Sequence, residues 1–145
     1  MKKILLVVVL AIAGYSLLRC TPAGQRALAR MEESNEAGSH LRKAEAQINA
    51  MAPKMLDQFT RVDGAKAGPG KRFTYLYTIV NVNSSTIDTT AWRNQVAPAL
   101  KRQIKKTGGV RSLFEAGITV TYRYSAADGA SIGEIIITPA EGLSP

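Results

Sequence analysis

The chain is poor in the residues that most often carry chemistry. It has one cysteine, Cys20, and one histidine, His40. A lone cysteine excludes an internal disulfide, a cysteine metal site and a thiol relay. A single histidine leaves zinc short of ligands. A Ser-His-Asp relay would have to recruit it from the start of an expected surface helix, so His40 is read as a solvated residue. Acids are in the minority, 11 against 19 lysines and arginines. Among Asp57, Asp63, Asp88, Glu115, Asp128 and Glu134, nothing selects a pair set across a cleft as glycoside hydrolysis requires. Asp57 and Arg61 are expected to form a surface ion pair. The stretch GAKAGPGKR (64–72) is glycine-rich and basic. It lacks the G-x-x-x-x-G-K-[ST] spacing of a phosphate loop, and no strand-to-helix context surrounds it. No catalytic residue, cofactor or metal is expected.

Long apolar runs are equally scarce, with one exception. Lys2 and Lys3 precede an uncharged stretch, Ile4 to Leu18, which Arg19 and Cys20 close. Three readings stay open. The run is a signal peptide, with Ala11-Ile12-Ala13 as its cleavage site. Or it is a retained anchor: its fifteen residues span roughly 22 Å, and snorkelling by Lys3 and Arg19 with local thinning covers the shortfall against the bilayer core. Tyr15 then sits where an interfacial aromatic belongs, and the paired lysines keep the N-terminus inside. Or it leads to a lipidated Cys20, against which Arg19 in the preceding position argues. All three export the rest of the chain. The expected location is the cytoplasmic membrane, single-pass with the C-terminal domain in the periplasm, or secretion if the chain is cut after Ala13.

Outside the leader, sixteen basic residues face eleven acidic ones. That excess of five suits an anionic partner, such as lipid headgroups or an acidic protein face. It is too small and scattered to imply nucleic acid. The chain divides into residues 1–20 as signal or anchor, 21–38 as an exposed helical stalk, and 39–145 as one α+β domain.

Residues 25–36 are rich in helix formers, and Ala37-Gly38-Ser39 is expected to interrupt them. Leu41, Ala44, Ile48, Met51 and Met55 then recur at three and four, an amphipathic stripe that Pro53 should end near Met51. Leu56 to Val62 is read as a first strand and DGAKAGPGKR as a connector. FTYLYTIVNV (73–82) is the clearest strand, filled by aromatic and β-branched residues. Asp88 is a helix N-cap. Trp92, Val96, Leu100 and Ile104 form the buried stripe of a helix to about Thr107, bent or divided at Pro98. Gly108 and Gly109 are its stop. Val110–Ala116 is a helical turn, and residues 118–138 are a hairpin about Asp128-Gly129. The order α-β-β-α-β-β predicts a four-stranded antiparallel sheet with helices on one face.

Two groups are candidates for binding. Tyr75 and Tyr77, with Tyr122 and Tyr124, form two Y-x-Y pairs, and alternation puts each pair on one sheet face. They are either a recognition platform or the core beneath Trp92; in the second case Arg123 points to the open face. Lys101, Arg102, Lys105 and Lys106, with Arg111 beyond, crowd one helix end. There they complement the helix dipole and suit an anionic surface. The functional expectation is a tethered or secreted binding or accessory module with a protein partner in the envelope. A neutralising protein and an envelope-acting hydrolase are the alternatives. The partner's identity and the oligomeric state are open.

Overall fold

The structure, a computed structural model, describes residues 22–144. The leader readings, from the Ala13 cut to lipidated Cys20, lie outside them. Among the described residues no helix is long and apolar enough to cross a membrane. The chain parts into two units between Glu36 and Ala37. The first is helical wherever it is described.

Helix α1 runs Pro22–Met51. Gly38 lies within it, so the expected interruption at Ala37-Gly38-Ser39 is absent. A lone glycine costs about 1 kcal/mol relative to alanine, less than flanking helix formers can offset. Pro53 comes just after the last turn, as expected.

A five-stranded sheet forms the second unit, in the order β1-β2-β3-β4-β5. The strands are β1 (Lys54–Met55), β2 (Thr60–Gly68), β3 (Arg72–Ile79), β4 (Thr119–Ala126) and β5 (Ser131–Ile137). This corrects the four-stranded antiparallel expectation twice. There is one further, very short strand, and β3 pairs β4 in parallel. The other pairs are antiparallel. The parallel step arises from the helical connection between β3 and β4, which returns the chain to its starting end.

That connection holds α2 (Thr89–Lys105) and α3 (Gly108–Glu115). Asp88 caps α2, its carboxylate accepting from Thr90 N–H at 2.9 Å and Ala91 N–H at 3.0 Å. The helix continues through Pro98 undivided. Gly108 and Gly109 open α3 rather than only ending α2. A final helix, α4 (Pro139–Leu143), starts with a capping box between Thr138 and Glu141.

Strand β2 departs most from expectation. Residues 56–59 form a turn, not a strand. Asp57 builds it by accepting from the N–H groups of Phe59 and Thr60 at 2.7 and 2.8 Å. The strand instead takes in most of the expected connector, through a register shift between Val62 and Gly64. The extra residue reverses the alternation. Thr60, Val62, Ala65 and Ala67 therefore share the face of Ile79, Tyr77, Tyr75 and Phe73.

One face of the sheet carries the core. Phe73, Val120 and Ile137 align across it, and Ile104 and Phe114 pack down from the helices, all of them buried. Leu41, with Ala44 and Ile48, brings α1 into the same cluster. Polar side chains of α1 also finish the outer edge of β2. Asn49 accepts from Ala65 N–H at 2.8 Å and donates to Ala65 C=O at 3.2 Å, and Glu45 accepts from Ala67 N–H at 3.1 Å. Four helical residues rise about 6 Å and two strand residues about 6.8 Å, so positions 45 and 49 meet 67 and 65. A helix thereby covers an edge that would otherwise invite another strand.

Candidate functional site

The four tyrosines come together on the helix-covered face. Parallel register sets Tyr75 beside Tyr122 and Tyr77 beside Tyr124. The rings stand side by side. Tyr75 and Tyr122 stack at 5.4 Å between centroids, Tyr77 and Tyr124 at 5.2 Å, and Tyr77 and Tyr122 at 6.2 Å, with planes within 5–25°. Trp92 meets Tyr124 edge-on at 5.0 Å. Gly133 makes room for the indole, since a Cβ there would lie 3.3 Å from it.

Above the rings lies an open groove of about 590 Å³. Its second wall is α2, through Val96, Leu100 and Ile104, with Gln95 and Gln103 at the rim; the turn residues Leu56 and Asp57 overhang it. A smaller recess of about 260 Å³ shares Leu56, Tyr75 and Tyr77 and continues beneath Ile48 and Met51 of α1. Met51 and Leu56 on this lining expose more than half of their surface; Met55 and Phe59 are also exposed but line neither cavity. Volumes of this order suit a bound segment or small ligand.

Electrostatically the groove is quiet. Burial pushes all four phenols up, Tyr124 to about 12 with the Asp57 carboxylate contributing. They stay protonated at any physiological pH. Asp57 is the one charged residue on the lining, and hydrogen bonds from Phe59 and Thr60 hold its carboxyl below the usual range. Asp128 and Glu141 are likewise lowered, by Ser84 and by Lys101 respectively. None of these is a carboxyl poised to give a proton near neutrality. Among the described residues no cluster of three metal-ligating side chains occurs.

The basic group lies elsewhere and is partly committed. Lys101 pairs with Glu141 at 2.7 Å, and Lys105 donates to Ser144 Oγ at 3.1 Å, so both tie α2 to the C-terminal helix. Arg111 pairs with Glu115 at 3.0 Å. Arg102 and Lys106 stay exposed beside a shallow depression on α2. Arg123 lies on the open sheet face, paired with Glu134 at 2.5 Å. The expected Asp57–Arg61 pair does not form: Asp57 is spent on its turn, and Arg61 pairs with Asp63 at 2.6 Å. The structure thus joins the tyrosines into one site and separates them from Arg111 and Arg123. Sequence reasoning missed Leu56, Asp57, Gln95 and Gln103 as groove residues, and Glu141 as the partner of Lys101. Only the four-residue spacing of Gln95 and Gln103 from residue 99 could have placed them beside the apolar stripe.

No protein-family model matches the chain, and no curated protein matches it. Solved structures do. A crystal structure of a Pseudomonas aeruginosa protein described as secreted superposes with a TM-score of 0.63 at 14% identity, covering 76% of this chain and 96% of that one. The type II secretion system pilotin AspS of Vibrio cholerae gives 0.62 at 14%, covering 78% and 98%. The pilotin EpsS of the Vibrio vulnificus type 2 secretion system gives 0.62 at 10%, covering 79% and 98%. At these identities the likeness is one of fold.

Proposed function

We propose that this chain is a non-catalytic accessory protein of the cell envelope, which works by holding a segment of a protein partner in the tyrosine-floored groove. The observation that carries this reading is the groove itself. It is open, its walls are largely apolar, and exposed Leu56 lines both it and the adjoining recess, where Met51 is exposed as well. Aromatic and methionine side chains around a concave surface are the usual anchors of protein recognition. The shared fold with two secretion pilotins and a protein described as secreted supports a place outside the cytoplasmic membrane, as does the apolar leader. Arg102 and Lys106 are the cations left to meet anionic headgroups.

The test is site-directed photo-crosslinking of the full chain in cells. A photoreactive residue at Gln103 should give a discrete adduct with one envelope protein, and Gln95→Trp, which fills the groove from its rim, should abolish it. Labelling at Thr121, on the other sheet face, should give none. Equal adducts at both positions, or none at Gln103, would remove the groove as the docking site.

A further inference from the structure

The floor of the groove is more than the aromatic surface that four clustered tyrosines imply. The rings stand nearly parallel with centroids 5.2 to 6.2 Å apart, so each shields part of its neighbour. An occupant meets phenol oxygens as well as ring surface. None of the four hydroxyls has a hydrogen-bond partner among the described residues. No buried side-chain oxygen lacks one either, so all four retain access to the groove. The walls above them are apolar along Val96, Leu100 and Ile104, and the other polar lining residues are glutamines, threonines and Asp57. The groove therefore presents a patch of unpaired O–H groups between apolar walls.

A purely apolar occupant would strip water from these hydroxyls and return nothing, which is the costly way to bury a polar group. An anionic one would approach Asp57, the only charge on the lining. Resting on the groove reading above, we propose that the hydroxyl patch selects its occupant: a peptide segment with apolar flanks and neutral acceptor side chains, glutamine, asparagine or serine, at its centre. The ring spacing sets their separation. Side chains at i and i+4 of a helix, about 5–6 Å apart, match it.

Three labelled amphipathic peptides of equal length test this on the full chain by fluorescence anisotropy. One has an all-leucine inward face, one has two central glutamines at i and i+4, and one has two glutamates there. The glutamine peptide should bind at least about tenfold more tightly than either of the others, the discrimination expected when buried hydroxyls are matched rather than stranded. Tyr77→Phe combined with Tyr122→Phe keeps the rings and walls but deletes two hydroxyls. It should erase that preference, weakening glutamine-peptide binding and tightening leucine-peptide binding. Equal binding of the leucine and glutamine peptides, sensitive to Gln95→Trp, would overturn the proposal and leave the groove reading standing. A preference that survives in the double phenylalanine variant would overturn it as well. Failure of all three peptides to bind would count against both.

Discussion

Replacing Asn49 by alanine tests the packing of α1 against the sheet. Ala65 is 1% exposed, and its N–H and C=O both end on the Asn49 amide, at 2.8 and 3.2 Å. Each bond is worth about 1 kcal/mol net, and a backbone group left buried without a partner costs about 1–3 kcal/mol. Alanine returns up to about 0.7 kcal/mol of helix propensity, and water entering the vacated space recovers part of the remainder. The expected loss is about 2 kcal/mol. Urea unfolding followed by Trp92, the chain's one tryptophan, should show a midpoint roughly 1–2 M lower at unchanged slope. Amide exchange at Ala65 should accelerate with it. Gln47→Ala, on an exposed position of the same helix, controls for propensity and should be near neutral. If Asn49→Ala is indistinguishable from Gln47→Ala, the side-chain cap on this edge contributes nothing, and the reasoning fails.

Four further outcomes are expected. Gly64→Ala should cost about 2 kcal/mol or more by thermal unfolding, because its φ is +151° and a Cβ would lie 2.5 Å from Asn49 Oδ1; combined with Asn49→Ala it should cost less than the sum. Gly142→Ala should destabilise by about 1–3 kcal/mol, since its Cβ would meet the Phe114 ring at 2.3 Å; an unchanged melting temperature would show that α4 does not hold its place. Pro98→Ala restores a backbone bond inside α2 and should stabilise by about 1 kcal/mol, read as a higher urea midpoint. Glu141 is lowered from 4.5 to about 2, chiefly by Lys101; its contribution is fully present above pH 4.5 and lost as pH falls through 2. Being exposed, the pair is worth under about 1 kcal/mol, and Glu141→Gln should remove that part of the acid slope.

The two hairpins, the Asp88 cap and the Trp92–Ile104 stripe differ in how far they can be read from sequence. The second hairpin, the cap and the stripe are local: a turn residue, a cap or a period within one segment announces each. The parallel pairing of β3 with β4 is not local. It depends on which end of the sheet the chain returns to after α2 and α3, and the rule that neighbours in sequence pair antiparallel fails across a helical crossover. β2, the first arm of the other hairpin, is hidden for another reason. Its residue 63 bulges out and breaks the alternation, and its inward positions are alanines because Tyr75, Phe73 and α1 already fill the space. Gly-Ala-Lys-Ala-Gly therefore reads as a linker although Ala65 is in the core. The tyrosine pairs are visible in the sequence as two separate faces. Their union, and the mutual stacking of the rings, needs the register.

The seam between β3 and β4 also bears on when the chain becomes competent. Each hairpin closes a short loop and can form early. The seam must wait until about forty residues of crossover have been gathered in, the slowest kind of closure. Tyr75 and Tyr77 arrive with one half, Tyr122 and Tyr124 with the other, so neither half alone offers the complete floor. On the groove reading, engagement of a client would be conditional on closing this seam, and a chain in which the seam is still open would lack half of the surface it needs.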